Sequence, residues 1–362
     1  MTQVGMPETD RGDADRRNTG TGTGTGTWRT GVRRAIRIGS RPEPWKRGLV
    51  LAVSALLLAL LMLLHAKITD RAGLGSLVET FLPWFGLPIP VLLAGALWRR
   101  SASAVVALLL PVTVWLNLFG GLLGDRSHGG GDLTVVSHNV DAGNPDPAGT
   151  ARDLAASGAD VLALEEITPR AKPLYEKGLG KAYPYHTVQG TVGLWSKLPL
   201  SDTRAIDTAM DYGPLADTKP ADVKMAYNRA LRTTVATDHS PLAVYVAHLG
   251  SVRVLPRKGF WTDSRDRNAK ALAEALAAER NERVVLLGDL NGTVDDGAFD
   301  AITSRMRSAQ EVAGDGFGFS WPAKFPVARI DQILVRGVEP TSSWMLPATG
   351  SDHLPTAARI DW

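Results

Sequence analysis

Cysteine is absent from the 362-residue chain, so it has no disulfide, no thiolate metal site and no cysteine nucleophile. Positive charge is scarce where a nucleic-acid binder would need it. Residues 131–362 carry 25 Lys/Arg against 29 Asp/Glu, whereas a domain that grips long nucleic acid shows a basic surface excess. The overall charge of +3 arises instead from residues 1–47, where ten basic side chains face five acidic ones. Apolar periodicity is missing from residues 1–27, with "TGTGTGT" at 21–27, and such a polar Gly/Thr-rich stretch is expected to be disordered. No internal repeat is visible.

Charge is also missing from three long apolar runs. The first, "GLVLAVSALLLALLMLLHA" (48–66), has 19 residues without a charge, long enough for a ~30 Å hydrocarbon core. It is too long and too far from the N-terminus for a cleaved signal peptide, and no small-x-small cleavage site follows it. "FLPWFGLPIPVLLAGALW" (81–98) and "SASAVVALLLPVTVWLNLFGGLLG" (101–124) come next. Their prolines would break a soluble helix but are tolerated in membrane spans. A soluble core helix is the plainer reading of any one run; the set predicts three transmembrane helices, 48–66, 81–98 and 102–124. Arg29, Arg33, Arg34, Arg37, Arg41, Lys46 and Arg47 precede the first run, and Arg99 and Arg100 separate the second from the third. The positive-inside rule puts both clusters in the cytoplasm, and three spans then put everything after residue 125 outside.

A Gly-rich linker (125–132) leads to a region of different character, 133–362. Short apolar runs read as strands: "LTVVS" (133–137), "DVLALEE" (160–166), "VGLWS" (192–196), "LAVYVAHL" (242–249), "RVVLLGDL" (283–290) and "RIDQILV" (329–335). Helical patterns occupy 147–158 and 264–280. Stacked sheets flanked by helices are expected.

Polar residues recur where these strands end. "VVSHNVD" delivers Asn139 and Asp141; "VLALEEI" delivers Glu165 and Glu166; "VYVAHLG" delivers His248; "VVLLGDLNG" delivers Asp289 and Asn291. Asp331 lies between apolar neighbours in "ARIDQILV", and "GSDHLP" supplies Asp352 and His353. Strand ends on one side of a sheet converge, as ligand sites at sheet edges generally do. Carboxylates and carboxamides without thiols suit Mg²⁺ or Mn²⁺, and a histidine with a separate aspartate suits acid–base work. Together they describe metal-assisted hydrolysis of a phosphate ester. Each element has a plainer reading: Asp289–Asn291 as turn chemistry, Asp352 as a turn cap, His248 as a core histidine. Asp331 resists one, because a buried carboxylate needs a partner.

The order Asn139 in "HNVD", Glu166 in "LALEEI", His248 in "VAHL", "GDLN" at 288–291, "RIDQIL" at 329–334 and "SDH" at 351–353 resembles the endonuclease/exonuclease/phosphatase (DNase I-like) superfamily, over roughly 131–362. The resemblance implies a four-layer α/β sandwich and a divalent-metal phosphoesterase. It implies that Glu166 is the principal Mg²⁺ ligand, with Asn139, Asp141 and Asp352 at the metal side. Asp289 would position or deprotonate the attacking water, Asn291 and Asn139 would contact the phosphate, and His248 would stabilise phosphoryl oxygens. His353 would be the catalytic histidine, oriented by Asp331. Two positions depart from the family: Glu165 stands where Gln is usual, a change expected to bear on metal affinity, and His138 replaces a common aromatic.

The substrate is constrained by an outward tether and a non-basic domain. A tethered site samples lipid headgroups at high effective concentration, and Trp261, Trp321 and Trp344 lie in loop-like segments that could meet an interface. Three spans followed by an outward catalytic domain are similar to membrane proteins of glycopeptide (teicoplanin) resistance, the VanJ type, which implies a lipid-linked substrate such as undecaprenyl pyrophosphate. The alternatives are a tethered extracellular nuclease, for which "RVLPRKGFW" (253–261) is the best basic loop, a sphingomyelinase-like phosphodiesterase, and a binding module with a decayed site. The intact motif set argues against the last. No obligatory nucleic-acid partner is expected.

Overall fold

The computed structural model describes residues 42–68, 71–208, 229–256 and 259–362. The expected disordered stretch 1–27 and Arg29 to Arg41 of the basic cluster lie outside the described residues.

The charge-poor N-terminal sequence folds as helices: α1 (Pro42–Lys46), α2 (Leu49–Leu63), α3 (Leu74–Thr80), α4 (Pro88–Trp98) and α5 (Ala102–Phe119). The stretch Ala102–Leu122 is the one described helix long and apolar enough by itself to cross a membrane. The first apolar run yields a helix of 15 residues rather than 19. The second run is not a continuous helix. Pro83 and Pro88 cannot donate to a preceding turn, so a 3₁₀ segment (Leu82–Gly86) precedes α4, and the path bends by 68° from Arg71–Thr80 to Leu82–Trp98. Helices α2, α4 and α5 meet through Ala52, Ala55, Ala96 and Ala104, whose small side chains permit close approach.

The strands are β1 (Leu133–Asn139), β2 (Val161–Glu165), β3 (Tyr185–Gln189), β4 (Val192–Ser196), β5 (Leu200–Ala205), β6 (Ala230–Val235), β7 (Leu242–Ala247), β8 (Arg253–Leu255), β9 (Gly259–Trp261), β10 (Val284–Asp289), β11 (Arg307–Ser308), β12 (Asp331–Arg336), β13 (Glu339–Met345) and β14 (Thr356–Asp361). Two six-stranded sheets result, ordered β13-β14-β1-β2-β4-β3 and β11-β12-β10-β7-β6-β5. Each is built alike, with a central parallel pair (β1/β2 and β7/β10) flanked by antiparallel neighbours.

The inner faces pack on one another through Val135, Val161 and Leu194 from one sheet and Val244, Leu287 and Ile333 from the other. Helices α6 (Pro147–Ala156) and α7 (Lys172–Leu179) cover the outer face of the first sheet through Leu154, Tyr175 and Leu179. Helix α8 (Asp263–Ala277) covers the second through Leu272 and Leu276. The order of layers is helix, sheet, sheet, helix, the α/β sandwich expected. Strands β1, β2, β4, β7, β10 and β12 are those the apolar runs announce. The polar compositions of β3, β5, β13 and β14 escape that criterion.

The helical segment docks on the sandwich. Trp84 Nε1 donates to Val327 O (2.7 Å) and its ring stacks on Phe319 at 5.5 Å. Trp115 and Phe119 meet Phe317 at 6.3 and 6.4 Å. Of the three loop-like tryptophans, Trp261 is buried in β9 and Trp344 packs in the core behind the first sheet, whereas Trp321 stays partly exposed.

Candidate active site

The two parallel pairs place four strand C-termini at the same edge of the sandwich. β1 ends in Asn139, β2 in Glu165 followed by Glu166, β7 is followed by His248, and β10 ends in Asp289. Antiparallel β12 starts at that edge with Asp331, in register with Asp289, and the loop into β14 carries Asp352 and His353. Asp331 therefore opens its strand rather than lying inside it. The candidate catalytic and metal-binding residues named from the sequence reach one neighbourhood, and Asn139, Asp141, Glu166, Asp289, Asn291, Asp352 and His353 line a single cavity of about 910 Å³.

The backbone bends sharply where these side chains leave the strands. Asp141 (φ 60°), Glu166 (φ 64°) and Asn291 (φ 52°) are all left-handed, a conformation that costs a non-glycine residue roughly 1 kcal/mol or more and gathers at functional sites. Side chains compensate: Asn139 Oδ1 accepts from Asp141 N (3.0 Å), Glu166 Oε2 from Ala142 N (2.9 Å), and Asp289 Oδ1 from Asn291 N (2.8 Å). Gly288 (φ 149°) passes so close to β7 that a Cβ there would lie 1.8 Å from Ala247 O.

Asp289 is the hub. Its Oδ2 accepts from Asn139 Nδ2 (2.9 Å) and Asn291 Nδ2 (3.2 Å), and lies 3.7 Å from His248 Nε2 and 3.9 Å from His353 Nε2. Burial raises its pKa, the neighbouring His353 charge works against that rise, and Asp331 adds to it. His353 Nδ1 bonds to Asp331 Oδ2 at 2.8 Å, which orients Nε2 into the cavity side of the site. Burial disfavours the imidazolium, but Asp331, then Asp289 and Asp352, outweigh it and hold the His353 pKa up to about 10. Asp141 is pushed up by burial and, further, by the nearby carboxylates Asp352 and Glu166. These three carboxylates, beside the Asn139 carboxamide, form a hard-oxygen set suited to Mg²⁺ or Mn²⁺.

His248 is fully buried, with Nε2 3.6 Å from Glu166 Oε1, and the Arg229 guanidinium lies against its ring. Arg229 escapes sequence reasoning, since a lone arginine before a strand has no distinguishing pattern. Ser351 escapes it too: its Oγ donates to Asn139 O (2.6 Å) and accepts from His353 N (3.1 Å), tying the histidine loop to β1.

The two family departures have physical accounts. Glu165 is buried, accepts from Ser137 Oγ (3.0 Å), and is raised well above the usual carboxylate range by burial and then by Asp331. Burial therefore favours the uncharged carboxyl group, which resembles the carboxamide it replaces. His138 is a buried core histidine, its Nε2 bonded to Thr349 Oγ1 (2.9 Å), and burial pushes its pKa down to about 3.

The sequence matches the Endonuclease/Exonuclease/phosphatase family over residues 136–353, and the chain belongs to that family. It is accordingly a divalent-metal-dependent hydrolase of phosphoester bonds. A functionally unknown conserved protein from Enterococcus faecalis V583 has the same fold, at 14% identity and a TM-score of 0.50, over 63% of this chain and 99% of that one. Also similar are humanised TDP2 of D. rerio (18% identity, 64% and 99% covered, TM-score 0.49) and beta toxin of Staphylococcus aureus (15%, 63% and 99%, 0.47). No curated protein sequence matches the chain.

Proposed function

We propose that the protein is a membrane-anchored, Mg²⁺-dependent phosphohydrolase that works on the outer side of the membrane on a lipid-linked phosphate or pyrophosphate, with undecaprenyl pyrophosphate as the substrate of choice. The observation that carries the chemistry is the aligned set Asp331–His353–Asp289 beside the carboxylates Glu166, Asp141 and Asp352. Those three, with Asn139, would hold the metal, which when bound polarises a phosphoryl oxygen. Asp289, Asp331 and His353 also offer atoms within 4.8 Å of one another. There, however, Nδ1 of His353 is taken by Asp331, and an imidazole suits Zn²⁺ better than Mg²⁺.

The residues then divide the work. Asp289 takes the proton of the attacking water, held by Asn139 and Asn291. His353, kept cationic by Asp331, faces the phosphoryl oxygens, and Asn291 and His248 add donors to the charge that develops there. Water attacks the terminal phosphorus, the anhydride bond breaks, and inorganic phosphate and the lipid monophosphate leave.

Membrane placement is supported by the outward faces of the helices. Val50, Val91 and Trp98 are 78, 71 and 88% exposed and Leu57 and Leu109 59 and 64%, an apolar surface far larger than a water-soluble monomer shows. Lys46, Arg47, Arg99 and Arg100 gather at one end of α2, α4 and α5, where Ser101 bonds to Arg47 O. The sandwich docks at the other end, through Trp84, Trp115 and Phe119. Basic residues inside and catalysis outside follow from the positive-inside rule.

Full-length protein in detergent with Mg²⁺, offered undecaprenyl pyrophosphate and single- and double-stranded DNA side by side, tests this. Phosphate release from the lipid, abolished by EDTA and by Glu166→Ala, is expected. DNA cleavage with the lipid untouched would make the protein a tethered nuclease.

A further inference from the structure

We infer that α3 and the β8–β9 hairpin form the subsite that grips the hydrocarbon chain next to the phosphate, so that the N-terminal segment completes the active site rather than merely anchoring it. This rests on the phosphohydrolase reading above and assigns that site's specificity to named residues.

The catalytic cavity has two chemically different ends. One carries the carboxylates, carboxamides and His353. The other is walled by Leu74, Leu77 and Phe81, in and just after α3, and by Val252, Val254 and Phe260 around the hairpin. A partly open cavity of about 910 Å³ lined by polar groups on one part and apolar walls on another fits an amphiphile better than a phosphorylated sugar or a nucleotide. The "RVLPRKGFW" segment, the one candidate for a basic nucleic-acid loop, contributes Val254 and Phe260 to this wall. Several of these side chains remain in contact with solvent: Leu74 is 52% exposed and Val254 80%, with Trp321, which also lines the cavity, at 38%.

The wall is built, not a loose touch. Arg265, itself 1% exposed, pairs with Asp296 (2.8 Å) and donates to Ser76 Oγ of α3 (2.9 Å), while Gly297 N donates to Glu79 Oε2 (3.2 Å). Gly73 (φ 70°) and Gly259 (φ 67°) let the backbone before α3 meet the hairpin; a Cβ on Gly73 would fall 1.5 Å from Phe260 O. Continuity names the occupant. Segment 71–86 lies between α2 and α4, whose exposed faces are apolar, and its Leu74, Leu77 and Phe81 line the cavity that also holds the phosphate-facing groups, so one molecule with a phosphate head and a hydrocarbon tail meets both.

Undecaprenyl, farnesyl and isopentenyl pyrophosphate share a head and differ in chain length. They are offered to the full-length protein with Mg²⁺ at one detergent concentration. Wild-type kcat/KM is expected to rise with chain length. Leu77→Asp, on one wall, and Val254→Asp, on the other, are each expected to lower kcat/KM for farnesyl and undecaprenyl pyrophosphate about tenfold or more, mainly through KM. Isopentenyl pyrophosphate turnover should stay within about threefold, which also reports an intact fold. If Leu77→Asp loses all three activities, Val254→Asp decides, since its side chain lies outside the core. Equal wild-type rates along the series, or long-chain rates untouched in Val254→Asp, overturn the chain subsite and leave the phosphohydrolase reading standing. Failure of every pyrophosphate while bis(p-nitrophenyl) phosphate is hydrolysed overturns both.

Discussion

Replacing Asp331 by Asn keeps the shape of the His353 partner and removes its charge. The carboxylate lies 2.8 Å from Nδ1, and it is the largest influence opposing burial in holding the imidazolium, through both charge and hydrogen bond. The rise from 6.5 to about 10 corresponds to about 5 kcal/mol in favour of the protonated form, at ~1.36 kcal/mol per unit. Losing the largest contributor should lower the pKa by about two units or more. His353 serves as a cation and is charged below its pKa. The alkaline limb of kcat/KM, near pH 10 in the wild type, should therefore move to about pH 8 or below, while the misoriented ring lowers the rate at neutral pH on the order of 10³-fold. Stability follows the same sign. A folded pKa above the unfolded value contributes stability that is full below pH 6.5 and lost as pH rises through 10, so the variant's deficit should be largest near pH 6 and shrink above pH 9. Phosphate release measured across pH 5–10, with urea unfolding at both extremes, provides the data. An unmoved alkaline limb with less than a tenfold rate loss would refute the assignment of Asp331 as the orienting acid.

Glu165→Gln should leave kcat/KM and the Mg²⁺ requirement within about threefold of wild type, because burial and Asp331 already favour the uncharged carboxyl group; a metal titration showing a large change in affinity would contradict that account. Gly288→Ala forces a Cβ against the Ala247 carbonyl and should cost about 2–4 kcal/mol in chemical denaturation, with activity falling because Asp289 moves with it. Burial works against the Glu279 carboxylate, but bonds from Arg232 (2.9 Å), Asn281 N (2.8 Å) and Tyr245 (2.9 Å) hold it down to about 2. Its contribution is therefore present above about pH 4.5 and lost as pH falls through 2. Glu279→Gln should flatten the acid side of the melting-temperature profile between pH 2 and 5; an unchanged slope would place acid sensitivity elsewhere.

The sequence alone specified the chemistry-bearing positions, because each lies beside an apolar run whose hydrophobicity marks a buried strand. Asn139, Glu166, His248 and Asp289 are legible as strand endings, and "SDH" as a polar loop before a final strand. Composition alone separated a basic N-terminal stretch and three charge-free apolar runs from a mildly acidic remainder. Tertiary structure decided what local pattern could not carry. Strands β3, β5, β13 and β14 are polar sequences recruited into the sheets by pairing with neighbouring strands, which their own composition does not announce. The proline-broken run 81–98 became a 3₁₀ segment followed by the short helix α4, and that 3₁₀ segment is held against Val327 and Phe319 by Trp84. The roles of Arg229 and Ser351 depend on contacts across 19 and 212 positions. So does the docking of α3 beside the phosphate-facing groups, which no periodicity announces: a side chain's neighbours across a fold are set by how whole layers pack, and a one-dimensional pattern reports only which face of its own element a residue occupies.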